Sequence, residues 1–491
     1  MPRKATVLGA GISGLSAACF LAKEGWDVTV LEKNDTIGGR ARQFSHEGFV
    51  FDMGPSWYWM PDVFEQFYQK FNHTAADFYE LRRLDPSYRV YWNDTTYSDI
   101  PATMGELEAL FESFEPGSSI KLRAFLKDAK YKYEVGMKDL VYKPSLKLTE
   151  FMDFRLLKGL FSMDLTNSFS NYVNRYFKHP KLRSLLEFPV LFLGAMPKDT
   201  PALYSLMNYA DMELGTWYPM GGMYKFIEAF EKIAQEQGVK IITNAEVARL
   251  EKSSGKVSAA VDTAGNHYLS DVFISSADYQ HTEKYLLNGS ANYSDTYWDK
   301  RVMAPSALLY YVGLNKRVEN LRHHNLFFDE SLEEHGKEIY KNPQWPTAPL
   351  FYLSVPSLTD PNSAPQGCEN LFFLIPIAPN LTDEEATREH YFDILLERLR
   401  NITGNDIKDH IVYKRSFSIS DFKKDYHAFK GNAYGLANTL SQTAIFKPRI
   451  KNKNLNNFYY TGQLTVPGPG VPPSIISGEV VAKHILQNPL T

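Results

Sequence analysis

The chain reads as an α/β protein whose N-terminal part forms a parallel sheet, and three observations carry that reading. Its first residues run strand, glycine turn, helix and strand in quick succession. The second strand ends on an acid. At 491 residues the chain is too long for one simple core, so two or more domains are expected.

Each element follows from its residues. Thr6-Val7-Leu8 is apolar and β-branched enough for a buried strand, and Gly9-Ala10-Gly11-Ile12-Ser13-Gly14 follows at once. Leu15 to Glu24 has a helical pattern that Gly25 stops, and Val28-Thr29-Val30-Leu31 makes the next strand, ending at Glu32. This is the Rossmann-type dinucleotide fingerprint. Gly9 allows the tight turn, Gly11 lets a diphosphate approach the backbone, and Gly14 lets helix and strand pack closely. The helix start offers unpaired N–H groups and a partial positive charge to phosphates. Glu32, 23 residues after Gly9, is placed to accept hydrogen bonds from an adenosine ribose and would repel a 2′-phosphate, which excludes NADP there.

The residues after Glu32 favour FAD over NAD. Gly38-Gly39-Arg40 is a flexible turn carrying a guanidinium, superfluous for NAD and suited to the diphosphate of a longer, permanently held cofactor. Phe49-Val50-Phe51 then reads as a strand feeding the turn Gly54-Pro55-Ser56.

With these residues in view the chain resembles the FAD-dependent amine oxidase and carotenoid desaturase superfamily, and more narrowly its bacterial phytoene-desaturase type. The resemblance recurs along the chain: at Trp217-Tyr218-Pro219-Met220-Gly221-Gly222, at Ser276-Ala277-Asp278-Tyr279, and at Tyr434-Gly435-Leu436 with Pro448-Arg449. It is most specific in Tyr460-Thr461-Gly462-Gln463, the run Pro467-Gly468-Pro469-Gly470-Val471-Pro472-Pro473, and the helix expected from Ser474 to Gln487. The family aims the start of that helix at the pyrimidine end of the flavin, and the N–H groups following Pro472 and Pro473 are expected to face it. The resemblance implies a Rossmann-like FAD-binding domain with an inserted α+β substrate domain. Its cofactor-binding residues are then Gly9, Gly11, Gly14, Glu32, Gly38, Gly39, Arg40, Gly54, Pro55, Ser56, Gly462, Pro472, Pro473 and Ser474.

The implied division is interleaved: FAD-binding parts at 1–75, 217–283 and 441–491, a mainly helical substrate- or membrane-facing insertion at 76–216, and a substrate domain with a sheet at 284–440. Strands are expected at Ala307–Val312, Leu350–Val355 and Asn370–Ile375.

Composition narrows the partners. A net charge of −4 makes no case for nucleic acid. Cys19 and Cys368 cannot form a disulfide framework and read as inert thiols of a reducing cytoplasm. No CxxC or HExxH occurs, so no metal is expected. Arg3 and Lys4 ahead of an apolar run imitate a signal peptide, but that run is accounted for as strand and glycine turn. No 18-residue apolar stretch exists to span a bilayer. Residues 121–158 carry ten Lys/Arg against five Asp/Glu, interleaved with residues such as Leu122, Phe125 and Tyr133. Such a segment either is a solvated helical face or rests on anionic lipid, and a bilayer-dissolved carotenoid favours peripheral attachment to the inner face of the cell membrane.

The implied reaction is introduction of C=C bonds into an acyclic carotenoid, with a hydride passing to flavin N5 and a proton leaving from the adjacent carbon. Asp153, in Glu150-Phe151-Met152-Asp153-Phe154-Arg155, is the candidate proton acceptor, and His281 is a second candidate. The substrate is either phytoene or a later, 1-hydroxylated intermediate that receives a 3,4 double bond, and the reading inclines to the later step. Oxygen or a quinone would reoxidise the flavin. An amine or porphyrinogen oxidase, a carotenoid isomerase or saturase, and a non-catalytic prenyl-binding module are the competing readings.

Overall fold

A computed structural model describes residues 2–147, 150, 167–191 and 194–488. The apolar N-terminal strand, Lys4–Leu8, is central to a five-stranded sheet in the order Phe458–Tyr460, Val272–Ser275, Lys4–Leu8, Asp27–Leu31 and Lys240–Ile242. Every pairing in it is parallel, with Val7 opposite both Val30 and Ile274. The sheet thus draws strands from three separate stretches of chain. The first helix, Ile12–Lys23, is buried along most of its length, and the C-terminal helix, Val471–Gln487, lies directly on it. A Cβ built on Gly478 would stand 2.4 Å from the Ser13 carbonyl oxygen, so glycine is what permits that approach. Ser16 donates to the Ile475 carbonyl at 2.7 Å across the same contact.

A second, mixed sheet of seven strands runs Ile411–Phe417, Ser306–Leu314, Glu369–Ile377, Phe351–Ser354, His324–Phe327, Tyr88–Tyr91 and Tyr97–Ile100. The three strands expected between 307 and 375 are all present, two of them longer than the sequence suggested. Within the first insertion, Tyr88–Tyr91 and Tyr97–Ile100 form a hairpin that joins this sheet through a parallel pairing with His324–Phe327. Asn93 accepts from the Thr95 and Thr96 backbone N–H groups and closes the hairpin turn. Helices do follow, at Met104–Phe114, Ser118–Val135, Phe169–Tyr176 and Pro180–Leu191.

The helix Ser118–Val135 shows what the basic segment does up to residue 135. Leu122, Phe125, Leu126 and Tyr133 turn inward. Lys121 pairs with Glu115 at 2.6 Å and Lys132, fully buried, with Asp128 at 2.7 Å. Its exposed large apolar residues are Ile120 and Tyr131. No helix among the described residues is long and apolar enough to cross a membrane.

Candidate functional site

The two sheets and the C-terminal helix border one long cavity, with an empty volume of about 2380 Å³ counting its open mouth. Its polar end is built on the glycine turn. Gly9 has φ +97° and its amide donates to the Leu31 carbonyl at 2.7 Å, which turns the chain out of the sheet. Gly11 caps the first helix without any side-chain bond, leaving the first-turn N–H groups open to a ligand. Gly14 does not line the cavity: it packs behind the turn, where an added Cβ would stand 2.1 Å from the Gly9 carbonyl oxygen. Gly39, at φ +56°, lies against Gly11, so that a Cβ there would meet the Gly11 Cα at 3.2 Å.

Glu32 is buried at this end and its carboxylate accepts from the Ala10 N–H at 2.7 Å and the Asn34 N–H at 2.9 Å. Asn34 Nδ2 also donates to it at 3.0 Å, so these bonds fix the carboxylate at the cavity wall and leave one acceptor position, on Oε2, for a ligand. Arg40 also lines the cavity, and its guanidinium lies over the Tyr426 ring at 5.0 Å. Burial works against its charge and the nearby Asp278 carboxylate supports it. Its Nε is buried without a partner, the state expected of a group awaiting an anion. Lys33, Asn34, Glu246 and His427 border the same end, with His427 bonded to Glu246 at 2.7 Å. His281 stacks on His427 with ring centroids 4.0 Å apart and belongs to this polar end.

Beyond Arg40 the wall is formed by Gly54, Pro55, Ser56, Gly462, Pro472, Pro473 and Ser474, all of which line the cavity. The helix behind the prolines begins at Val471, three residues before the expected start. This corrects one expectation. The Ser474 N–H already bonds the Gly470 carbonyl at 3.0 Å, and Pro472 and Pro473 have no N–H, so the residue able to offer a first-turn donor there is Val471. Further along, the lining turns apolar with Met53, Trp57, Trp59, Met60, Phe64 and Leu374. Among the described lining residues the carboxylates are Glu32, Glu246, Asp278 and Asp425, which cluster with the polar end. Asp153 lies outside the described residues.

Sequence reasoning missed several neighbours that hold the site together. Ser13 and Ser276 join hydroxyls at 2.9 Å across the glycine turn. Asp278 accepts from the His281 and Phe429 N–H groups, which fastens the chain around Arg40. The Ser13–Ser276 and Phe429–Asp278 bonds follow no spacing rule, because their partners are 263 and 151 residues apart.

Comparison with known proteins agrees with this geometry. Residues 12–486 match the family described as flavin containing amine oxidoreductase. The chain is 40% identical to a carotenoid 3,4-desaturase of Haloarcula japonica, with 98% of each chain covered. It is 30% identical to a 4,4′-diapophytoene desaturase of Staphylococcus aureus, with 99% of each covered. Among solved structures, an oxidoreductase from Methanosarcina mazei superposes with a TM-score of 0.63 at 15% identity, covering 99% of this chain and 100% of that one. Putrescine oxidase bound to putrescine does so with a TM-score of 0.62 at 12% identity, over 99% and 100%. At those identities the structures speak for the fold alone. The matches along the full length, over a fold that carries the glycine turn and the strand-end acid Glu32, mean that the chain belongs to the flavin-containing amine oxidoreductase family, among its carotenoid desaturases, with FAD as its cofactor.

Proposed function

We propose that this protein is an FAD-dependent carotenoid desaturase that introduces a C=C bond into an acyclic carotenoid, preferentially the 3,4 bond of a 1-hydroxylated substrate. One observation carries the reading: a single cavity passes from a polar, glycine-built end to an apolar stretch lined by Met53, Trp57, Trp59, Met60, Phe64 and Leu374. A polyene suits that wall, and a substrate amine would find no carboxylate among its described residues, which counts against the amine-oxidase reading. The 40% identity to a carotenoid 3,4-desaturase supports the choice of bond.

FAD supplies two-electron oxidising chemistry when bound. Gly9 and Gly11 would give the diphosphate access to backbone N–H groups, Gly14 keeps helix and strand in contact, and Glu32 would accept from the ribose. Gly38 and Gly39 shape the turn that carries Arg40, whose guanidinium would meet the diphosphate charge. Gly54, Pro55, Ser56, Gly462, Pro472, Pro473 and Ser474, which line the cavity beyond Arg40, would hold the ring system. The apolar wall excludes water and aligns the polyene, which is where this chain's contribution to the rate lies. The three FAD-binding stretches and two insertions act as an interleaved pair of domains. The substrate's solubility argues for peripheral attachment to the inner face of the cell membrane, and either oxygen or a membrane quinone fits as terminal acceptor.

The test is the absorption spectrum of products after FAD-loaded protein is incubated with liposomes carrying phytoene or a 1-hydroxylated acyclic carotenoid. A red shift with the hydroxylated substrate alone is expected. A shift with phytoene would make the enzyme an early, multi-step desaturase, and no shift with either would sink the desaturase reading.

A further inference from the structure

We propose that the Tyr352 hydroxyl, backed by the His324 imidazole, accepts the proton released in the desaturation. The proposal rests on the function argued above. Forming a C=C bond breaks two C–H bonds. One leaves with its electron pair, which FAD takes, and the carbon keeps a positive charge spread into the polyene. The neighbouring C–H then leaves its electron pair behind as the new π bond and releases a proton. That proton needs a lone pair inside a cavity whose walls exclude water.

Tyr352 interrupts the apolar wall. It lies on the strand Phe351–Ser354, lines the cavity and is 6% exposed. Its hydroxyl is 2.6 Å from Nδ1 of His324 on the adjacent antiparallel strand. His324 pairs with Ser354, two residues along from Tyr352, so both side chains stand on the same face of the sheet. Ser56, from the turn assigned to the flavin, also reaches the phenol. His324 is fully buried and its Nε2 has no hydrogen-bond partner. Burial, with His323 just before it in the chain, holds the imidazole well below its usual basicity, so it rests uncharged. The groups facing it are Tyr352 across the strand pair, His323 at a ring separation of 4.4 Å, and Trp57, whose ring stacks on the imidazole at 4.2 Å and 12°.

This arrangement is a relay. With Nδ1 bare, the Tyr352 O–H donates to it, and the phenolic lone pairs are shared between the Ser354 and Ser56 hydroxyls and the substrate. The proton moves from carbon to the phenol oxygen as the phenol's own proton moves to Nδ1. A buried imidazolium is costly in isolation, but here no new charge is created. The positive charge passes from carbon to imidazolium, against the face of Trp57, which favours a cation. The weak basicity of a buried imidazole is no obstacle, because a C–H bond beside a carbocation is far more acidic than an imidazolium. The proton returns through the phenol to water once product leaves.

The experiment compares FAD-loaded wild-type protein, Tyr352→Phe and His324→Gln in carotenoid-bearing liposomes. Flavin absorbance checks occupancy, and quenching of protein fluorescence measures substrate binding independently of turnover. Tyr352→Phe is expected to lower kcat by about 100-fold with binding unchanged. His324→Gln, which can still hydrogen-bond the phenol but takes no proton, should lose as much. Deuterium on the proton-losing carbon should slow both variants more than wild type, because proton loss becomes limiting. Either variant turning over at the wild-type rate, or an isotope effect equal in all three, would overturn the relay while leaving the desaturase standing. A wild-type protein that holds FAD and leaves every carotenoid unchanged would overturn the function and the relay together.

Discussion

Substituting Gly14 with alanine tests whether the glycine turn is built for close packing. A Cβ there would stand 2.1 Å from the Gly9 carbonyl oxygen, 0.9 Å inside the 3.0 Å limit below which Cβ contacts are essentially never seen. It would also meet Ser276 Cβ at 3.0 Å. Neither neighbour is the loose end of a flexible side chain, so the helix must move outward. Alanine gains about 1 kcal/mol of helix propensity over glycine. Overpacking of a tight site costs about 1–3 kcal/mol, so the fold is destabilised by up to ~2 kcal/mol after that offset. The larger effect falls on the cofactor. A displacement near 0.9 Å takes the first-turn N–H groups off the diphosphate, and one hydrogen bond to a charged group is worth about 1.5–3 kcal/mol. FAD affinity should fall ten- to a hundredfold, at about 1.4 kcal/mol per factor of ten. Reconstituting the flavin-free protein and following flavin fluorescence measures this directly, with urea unfolding alongside. A Gly14→Ala protein with wild-type FAD affinity and an unshifted unfolding midpoint would refute the packing argument.

Two further outcomes follow from buried polar groups. Glu32→Ala leaves the Ala10 N–H buried without its acceptor, at a cost of about 1–3 kcal/mol, and removes the ribose partner, whereas Glu32→Gln keeps one acceptor oxygen. FAD titration should therefore rank wild type above Glu32→Gln and Glu32→Ala last, and equal affinities would disprove the assignment. Lys447 is buried, bonded to Asn438 at 2.9 Å, and burial pushes its pKa down to about 7. Because the folded state holds fewer protons than the unfolded one between that pH and the ordinary lysine range, stability should rise with pH across the window, by at most about 1.4 kcal/mol per pH unit. Urea unfolding of Lys447→Met beside wild type from pH 7 to 10 should show that slope reduced, and parallel curves would contradict it.

The cofactor end was legible because its chemistry is local. Gly9, Gly11, Gly14 and Glu32 sit in one βαβ unit, where a tight turn, an open helix start and a strand-end acid each demand a residue type at a fixed offset. Even there the sequence misjudged the C-terminal helix, since two prolines after Gly470 fit a helix start at Val471 as well as one at Ser474. The hairpin Tyr88–Tyr91 and Tyr97–Ile100 was missed although Tyr88-Arg89-Val90-Tyr91 is rich in strand formers and a turn-forming Asn93-Asp94 follows.

The substrate end depends on register, which no local motif states. Along Phe351-Tyr352-Leu353-Ser354-Val355, residues alternate between two buried faces. Phe351, Leu353 and Val355 enter the core of the seven-stranded sheet, and Tyr352 turns to the cavity. With both faces buried, hydrophobic patterning does not tell which one meets the substrate. A shift of one residue in the pairing with His324–Phe327 would put Leu353 in the wall and carry the phenol away from Nδ1. The seven-stranded sheet fixes that register from both sides, through Leu326 opposite Tyr352 and Tyr352 opposite Leu374. The placement of a proton acceptor in this enzyme is therefore a property of strand pairing, and it becomes visible only once the strands are laid side by side.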